Sequence, residues 1–237
     1  MKKIIVVTHE RSGTHLLINM INHQNKGSFH SVGFLDNKIN NLDNYKYQVE
    51  KDILLGKYRE NVVFKSHHQI EFYENILDYL FENYHVIYLK RDVKDVLVSY
   101  YKFLKKMSVS DFPVLKDWIF MNPDLIGKNF LGYNDFPDPH VIIQPKNYID
   151  RWSLHVNGWK KYESNFLSLT YEEILTDYQT TKEKIENYIH QKISNVIPDI
   201  NDKSLPNISP NKGIVGAYKE YMNVELINEI DSMIFNI

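Results

Sequence analysis

The sequence predicts an α/β domain in which a parallel sheet carries helices on both faces. Short β-branched or apolar runs recur along the chain, and segments with helical apolar spacing separate them. The first run, residues 2–8, has the character of a strand buried inside such a sheet. The length, 237 residues with 43% hydrophobic, supplies one sizeable core. One domain over residues 1–237 is therefore expected.

Taken in order, residues 2–8 (KKIIVVT) are the first strand, and residues 14–22 a helix with Leu16, Leu17, Met20 and Ile21 on its apolar side. Residues 29–58 are polar and Asn-rich and carry no clear element. Residues 61–67 (NVVFKSH) are a second strand, and 71–83 an amphipathic helix. Residues 85–91 (HVIYLKR) are a third strand, and 92–106 a helix that Asp92 is placed to cap. Residues 108–146, rich in Pro, Gly, Asn and aromatics, are too long for a plain connection and are expected to serve function. A helix over 147–164 and a fourth strand at 166–171 (FLSLTY) follow, then helices from about 172 and through 189. Residues 204–216 form a loop with two prolines and two glycines, and 224–235 a last helix. Ligands of parallel α/β sheets sit at the carboxyl ends of the strands. Thr8, His67 and Arg91 end three of these runs there.

The formal net charge of -2 gives no global reason to bind nucleic acid or an anionic membrane, so a basic site must be local. The chain has no cysteine, which excludes disulfides, thiolate metal sites and a Cys nucleophile. The amino terminus has only four strongly apolar residues in a row, short of a signal-peptide core. No stretch approaches the roughly 20 apolar residues of a membrane span. A cytoplasmic protein is expected, and the sequon Asn207-Ile208-Ser209 is read as chance.

Arg11-Ser12-Gly13-Thr14 follows the first strand directly. Gly13 lets the backbone turn tightly, and the amides of Ser12, Gly13 and Thr14 would lie at a helix N-terminus, where the dipole favours anions. Arg11 adds a cationic fork. A capped helix with a solvated arginine explains the stretch equally well. The Walker A string G-x-x-x-x-G-K-[ST] is absent. Arg91 ends a strand and Ser99 lies two turns into the next helix, on the side set by its start, so both could reach one phosphate. Lys65 and His67 are two apart on a strand and share a face, while His68 faces the other way. A lone histidine at a strand end is usually only a satisfied polar residue.

Together these stretches resemble the sulfotransferases that use 3'-phosphoadenosine 5'-phosphosulfate (PAPS). The loop resembles the family's 5'-phosphosulfate loop, roughly Y-P-K-S-G-T-T-W. Residues 88–103 (YLKRDVKDVLVSYYKF) resemble its 3'-phosphate segment, matching at Arg91, Lys94, Asp95, Val98, Ser99, Tyr100, Tyr101 and Phe103. "VVFKSHH" resembles the strand ending K-T-H, and "RWSLHVNGWKKY" the W-x-x-H-V-x-G-W helix. "LTYEEI" resembles a strand end with Tyr171 in the tyrosine position, and "SPNKGIVGAYKEYMNVELINE" the C-terminal R-K-G-x-x-G element. The resemblance spans nearly the whole chain.

It implies a P-loop-nucleotide-kinase-like fold and one sulfotransferase domain. It implies transfer of a sulfuryl group from PAPS to a hydroxyl or amine, leaving adenosine 3',5'-bisphosphate. On it, His67 is the general base, and Arg11 and Lys65 neutralise the leaving oxygen. Arg11, Ser12, Gly13, Thr14, His15, Arg91, Ser99, Tyr171, Lys212 and Gly213 hold the donor. His155 belongs to the acceptor pocket, Gly213 and Gly216 to a lid. Trp152 and Trp159 are read as mainly core. No metal is required, and the acceptor is a small molecule, glycan or lipid. The chain departs from the pattern at Arg11 for Lys, Leu16 for the adenine-stacking Trp, Asn211 for Arg, and Ala217-Tyr218 for Asp-Trp. The family's dimer motif reads Lys219, Asn223, Val224 and Asn228 here, so the oligomeric state stays open. A P-loop-type small-molecule kinase and a non-catalytic nucleotide-binding protein on the same scaffold remain alternatives.

Overall fold

The computed structural model describes residues 2–22, 29–32, 42–55, 63–108, 111–125, 140–198 and 213–235. Five parallel strands form one sheet: β1 (Lys3–Thr8), β2 (Phe29–Ser31), β3 (Val63–Ser66), β4 (Tyr84–Lys90) and β5 (Leu167–Thr170), in the order β2-β3-β1-β4-β5. In the register of the central strand, Val7 faces Ser66 on one side and Thr8 faces Leu89 on the other. Ile5, Val6 and Val7 are completely buried. That requires cover on both faces, as their uninterrupted apolar run predicts.

Two apolar layers supply it. Ile5 and Val7 pack with Phe64, Tyr88, Trp159 and Phe166 on one face. Val6 packs on the other with Leu17, Ile18, Leu89, Ile174 and Ile185. The helices on the second face are α1 (Thr14–Ile21) and, further along the chain, the segment from Tyr171 to Ile189. On the first face lies α2 (Leu42–Leu55), through Tyr45, Val49 and Ile53. After α3 (Leu77–Asn83) come α4 (Val93–Met107), α5 (Leu115–Phe120) and α6 (Tyr148–Lys160). The Tyr171–Ile189 segment is α7 (Tyr171–Thr176) and α8 (Tyr178–Ile189), and the last helix is α9 (Val224–Phe235). Helices α4, α5, α6 and α9 share a third core around Leu97, Trp118, Ile149 and Ile230.

After β1 the chain leads towards β2, and after β4 towards β5, so the connections leave the neighbouring strands β1 and β4 in opposite directions. A crevice at the carboxyl ends follows from that topology.

Most expected elements are present, with corrections. Residues 29–58 contain β2 and α2. The expected helix over 71–83 is a 3-10 turn (Ile70–Tyr73) followed by α3. The Tyr73 hydroxyl is tied to Ser66 Oγ at 2.7 Å, and its ring packs on Trp159, which pins the turn. The helix over 147–164 ends at Lys160, with Asn147 as its cap. Asp92 caps α4 as expected, accepting from the Lys94 amide at 2.8 Å. Among the described residues no helix is long and apolar enough to cross a membrane. Phe130, Tyr133 and Phe136, aromatics of the segment expected to serve function, lie outside them.

Candidate active site at the carboxyl edge of the sheet

The loop between β1 and α1 is curled by two left-handed residues, Arg11 (φ 65°) and Gly13 (φ 98°). A side chain at position 13 would meet both this backbone penalty and the Tyr171 ring, into which its Cβ would be driven. Only glycine satisfies both conditions. Gly13 is the residue before α1, so the unpaired amides of the first turn open into the crevice. Replacing Gly13 with alanine is expected to cost about 1–2 kcal/mol from the left-handed backbone alone, with the ring collision added. Thermal denaturation should show this loss, and a variant as stable as wild type would refute it.

Three cations line the loop. Arg11 donates from Nε to Ser99 Oγ at 3.2 Å, and its guanidinium lies 5.0 Å from the Phe103 ring centre. Lys65 sits over Phe29. Arg91 is buried, with its guanidinium 4.2 Å from the centre of the Tyr171 ring. These groups repel one another. Burial and then the Arg91 charge push the Arg11 pKa down. Burial also lowers the Lys65 pKa, with the Glu10 charge opposing that and the Arg11 charge adding to it. Burial, Lys65 and Arg11 together bring His15 to about 4, so it is neutral near pH 7. Such a cluster is relieved by an anion between its members. Ser12 Oγ, His15 Nε2 and Arg91 Nε are buried and make no hydrogen bond among the described residues. The donor set therefore fits a bound polyanion.

His67 stands at the end of β3. Its Nδ1 lies 2.9 Å from the Thr8 carbonyl oxygen, which can only accept. Nδ1 therefore carries the proton and Nε2 is left basic. The Thr8 hydroxyl, bonded to Thr14 Oγ1 at 2.7 Å, adds a second contact to Nδ1 at 3.0 Å. Burial and then the Lys65 charge hold His67 well below its ordinary pKa. His68 faces the opposite side of the strand, as its position predicts. It is buried between Ser66 Oγ (2.9 Å to Nδ1) and the Tyr45 hydroxyl (2.8 Å to Nε2).

The other half of the site surrounds β4 and α4. Arg91 Nη2 donates to the Ile214 carbonyl at 3.1 Å and lies 3.5 Å from Asp95. The Tyr171 hydroxyl donates to the Gly213 carbonyl at 3.1 Å. Asp95 accepts from the Gly216 and Tyr218 amides at 2.8 and 3.1 Å. The 213–218 turn is thus drawn over the start of α4. Lys212 and Asn211 lie outside the described residues.

Ser99, expected to reach one phosphate together with Arg91, accepts from Arg11 Nε through its hydroxyl and so ties the loop to α4. His155 is buried on α6, bonded through Nδ1 to the Tyr88 hydroxyl at 2.9 Å, with Nε2 unpaired. Trp159 is fully buried as core, and Trp152 packs against the third core from a partly buried position. Sequence reasoning passed over Glu10, Arg151 and His140, and gave Asp95 no role beyond its place in the matched segment. The His140 ring centre lies 5.7 Å from that of His67. The readable signal was an acid beside Arg11 with no other duty in the loop. Among the described residues no group of acids and histidines could hold a metal ion.

A parallel sheet with a glycine-turned cationic loop at its central strand defines an α/β protein built to hold an anionic ligand at the strand ends. The sulfotransferase domain family model matches residues 1–209, and the chain belongs to that family. It is similar to the 3-beta-hydroxysteroid sulfotransferase of Cavia porcellus, 28% identical over 174 residues, 62% of this chain and 54% of the relative. It is also similar to Sulfotransferase 2A1 of Homo sapiens, 28% identical over 194 residues, 78% of this chain and 58% of the relative. The chain spans about half the length of the curated relatives it matches. Among solved structures it is similar to mouse sulfotransferase SULT7A1 complexed with PAP, at TM-score 0.62 and 15% identity, covering 98% of this chain and 83% of that one. It also resembles retinol dehydratase in complex with androsterone and inactive cofactor PAP, at TM-score 0.59 and 17% identity, covering 99% and 80%. These likenesses bear out the P-loop-nucleotide-kinase-like fold.

Proposed function

We propose that this protein is a PAPS-dependent sulfotransferase acting on a small-molecule hydroxyl. The observation that carries the reading is the meeting, at one sheet edge, of a basic His67 Nε2 with the Arg11–Lys65–Arg91 cation cluster. Two solved neighbours named as complexes with PAP support the donor. Steroid sulfotransferases among the relatives support an apolar alcohol as acceptor.

Arg11, Ser12, Gly13, Thr14 and His15 would hold the 5'-phosphosulfate, and Arg91, Ser99, Tyr171 and Gly213 the 3'-phosphate side. PAPS supplies the sulfuryl group. His67 Nε2 takes the acceptor's hydroxyl proton as the new O–S bond forms. The old bond between sulfur and the bridging oxygen breaks, and Arg11 and Lys65 stabilise the charge left on that oxygen. Thr8 holds the His67 ring so that Nε2, not Nδ1, faces the acceptor.

Calorimetric titration with adenosine 3',5'-bisphosphate, AMP and ATP tests the reading. A clear preference for the 3',5'-bisphosphate is expected. Equal binding of ATP, or no binding, overturns it.

A further inference from the structure

We propose that Glu10 and Arg151 form a clamp that positions the loop around Arg11 for the 5'-side of the donor, which makes both of them positioning residues. The inference rests on the function proposed above and concerns residues not yet given a role in it.

Arg151 belongs to the first turn of α6 and is buried. Its guanidinium makes two parallel bonds to the Glu10 carboxylate, Nη1 to Oε2 and Nη2 to Oε1, each 2.7 Å. That bidentate fork fixes distance and orientation together. Nη1 also lies 3.0 Å from His9 Nε2, and His9 Nδ1 lies 3.0 Å from the Glu10 carbonyl oxygen. A carbonyl only accepts, so Nδ1 carries the hydrogen and Nε2 accepts from the arginine. The His9 carbonyl in turn accepts from the Ser12 amide at 3.3 Å. Every one of these contacts is anchored within two residues of Arg11.

Arg11 needs such an anchor. Its φ of 65° lies in a region that costs an L-residue free energy and persists only where surroundings over-determine it. The loop has no side-chain cap on α1 to do this. The clamp also adjusts the local field. The Glu10 carboxylate acts on both Lys65 and His67, raising their pKa values against the effect of burial. Although burial opposes it, Arg151 holds the Glu10 carboxyl well below the usual carboxylate range. The negative charge thus stays in place at neutral pH.

Buried ion pairs are weak sources of net stability and can serve instead to specify one arrangement. The decisive measurement is therefore ligand-specific. Affinities of Glu10→Gln for adenosine 3',5'-bisphosphate and for adenosine 3'-monophosphate are compared by calorimetry with those of the wild type. The expected result is a loss of about tenfold for the bisphosphate, 1.4 kcal/mol, with the 3'-monophosphate unchanged, because only the former uses the loop. Arg151→Lys, which keeps the charge but not the fork, should show the same split and serves as readout where Glu10→Gln fails to fold. Equal losses for both ligands overturn the clamp as a positioning device, and so does an unchanged bisphosphate affinity. A wild-type protein that binds no bisphosphate overturns the function proposed above, and the clamp with it.

Discussion

Replacing His67 with alanine should cut turnover by about 10²–10⁴-fold, the range for loss of a general base, while the affinity for adenosine 3',5'-bisphosphate stays near wild type. The Thr8 carbonyl fixes the Nδ1 proton and leaves Nε2 as the free base, which in the proposed reaction faces the acceptor and not the nucleotide. Single-turnover rates and calorimetry on the same variant separate the two quantities. A variant with near wild-type turnover would remove His67 from the mechanism. The pH profile carries an independent check. The histidine pKa is depressed by burial and Lys65, and the base acts in its neutral form. Activity should therefore be level from about pH 8 down through the ordinary histidine range near 6.5, and fall only at more acidic pH. A profile that drops between pH 7.5 and 6.5 would contradict the depressed pKa.

Arg91→Ala should act on binding. The guanidinium is buried against Tyr171, and its Nε has no hydrogen-bond partner among the described residues. Hydrogen bonds to charged groups contribute about 1.5–3 kcal/mol, so adenosine 3',5'-bisphosphate affinity should fall about 10–150-fold. The rate at saturating donor should fall far less. Lysine at this position should rescue poorly, since it lacks the planar face that lies on the tyrosine ring and the fork that reaches Ile214. Unchanged affinity in Arg91→Ala would move the 3'-phosphate elsewhere.

Much of this architecture was legible in the residues. The β1, β3 and β4 runs are short and apolar, and each ends in a polar residue that the fold brings to one edge. Asp92 and Gly13 announced the starts of two helices through cap chemistry and backbone freedom. The α2 helix was harder to see, because Tyr45, Val49 and Ile53 stand four apart in a segment otherwise rich in Asn, Asp and Lys, and a charged residue, Asp52, is buried beside them. The tie from Ser99 to Arg11 could not be read, since spacing along α4 shows which face Ser99 occupies but not which loop lies over it. The same holds for Arg151. A charged residue before Trp152 looks like a solvated helix start until the fold places Glu10 against it. Pairings across some 140 residues are set by topology, and local pattern carries no trace of them.

The Tyr171 ring touches three parts of the site at once. It closes on Gly13, it lies under Arg91, and its hydroxyl reaches Gly213. Positions 13 and 171 are therefore bound to change together or not at all over evolutionary time. A side chain can appear at position 13 only in a descendant that has already lost the ring at 171. Such a descendant would also have given up the surface on which the arginine rests. Across related sequences this predicts paired substitution at 13 and 171, a statistical signature that originates in the thickness of one aromatic ring.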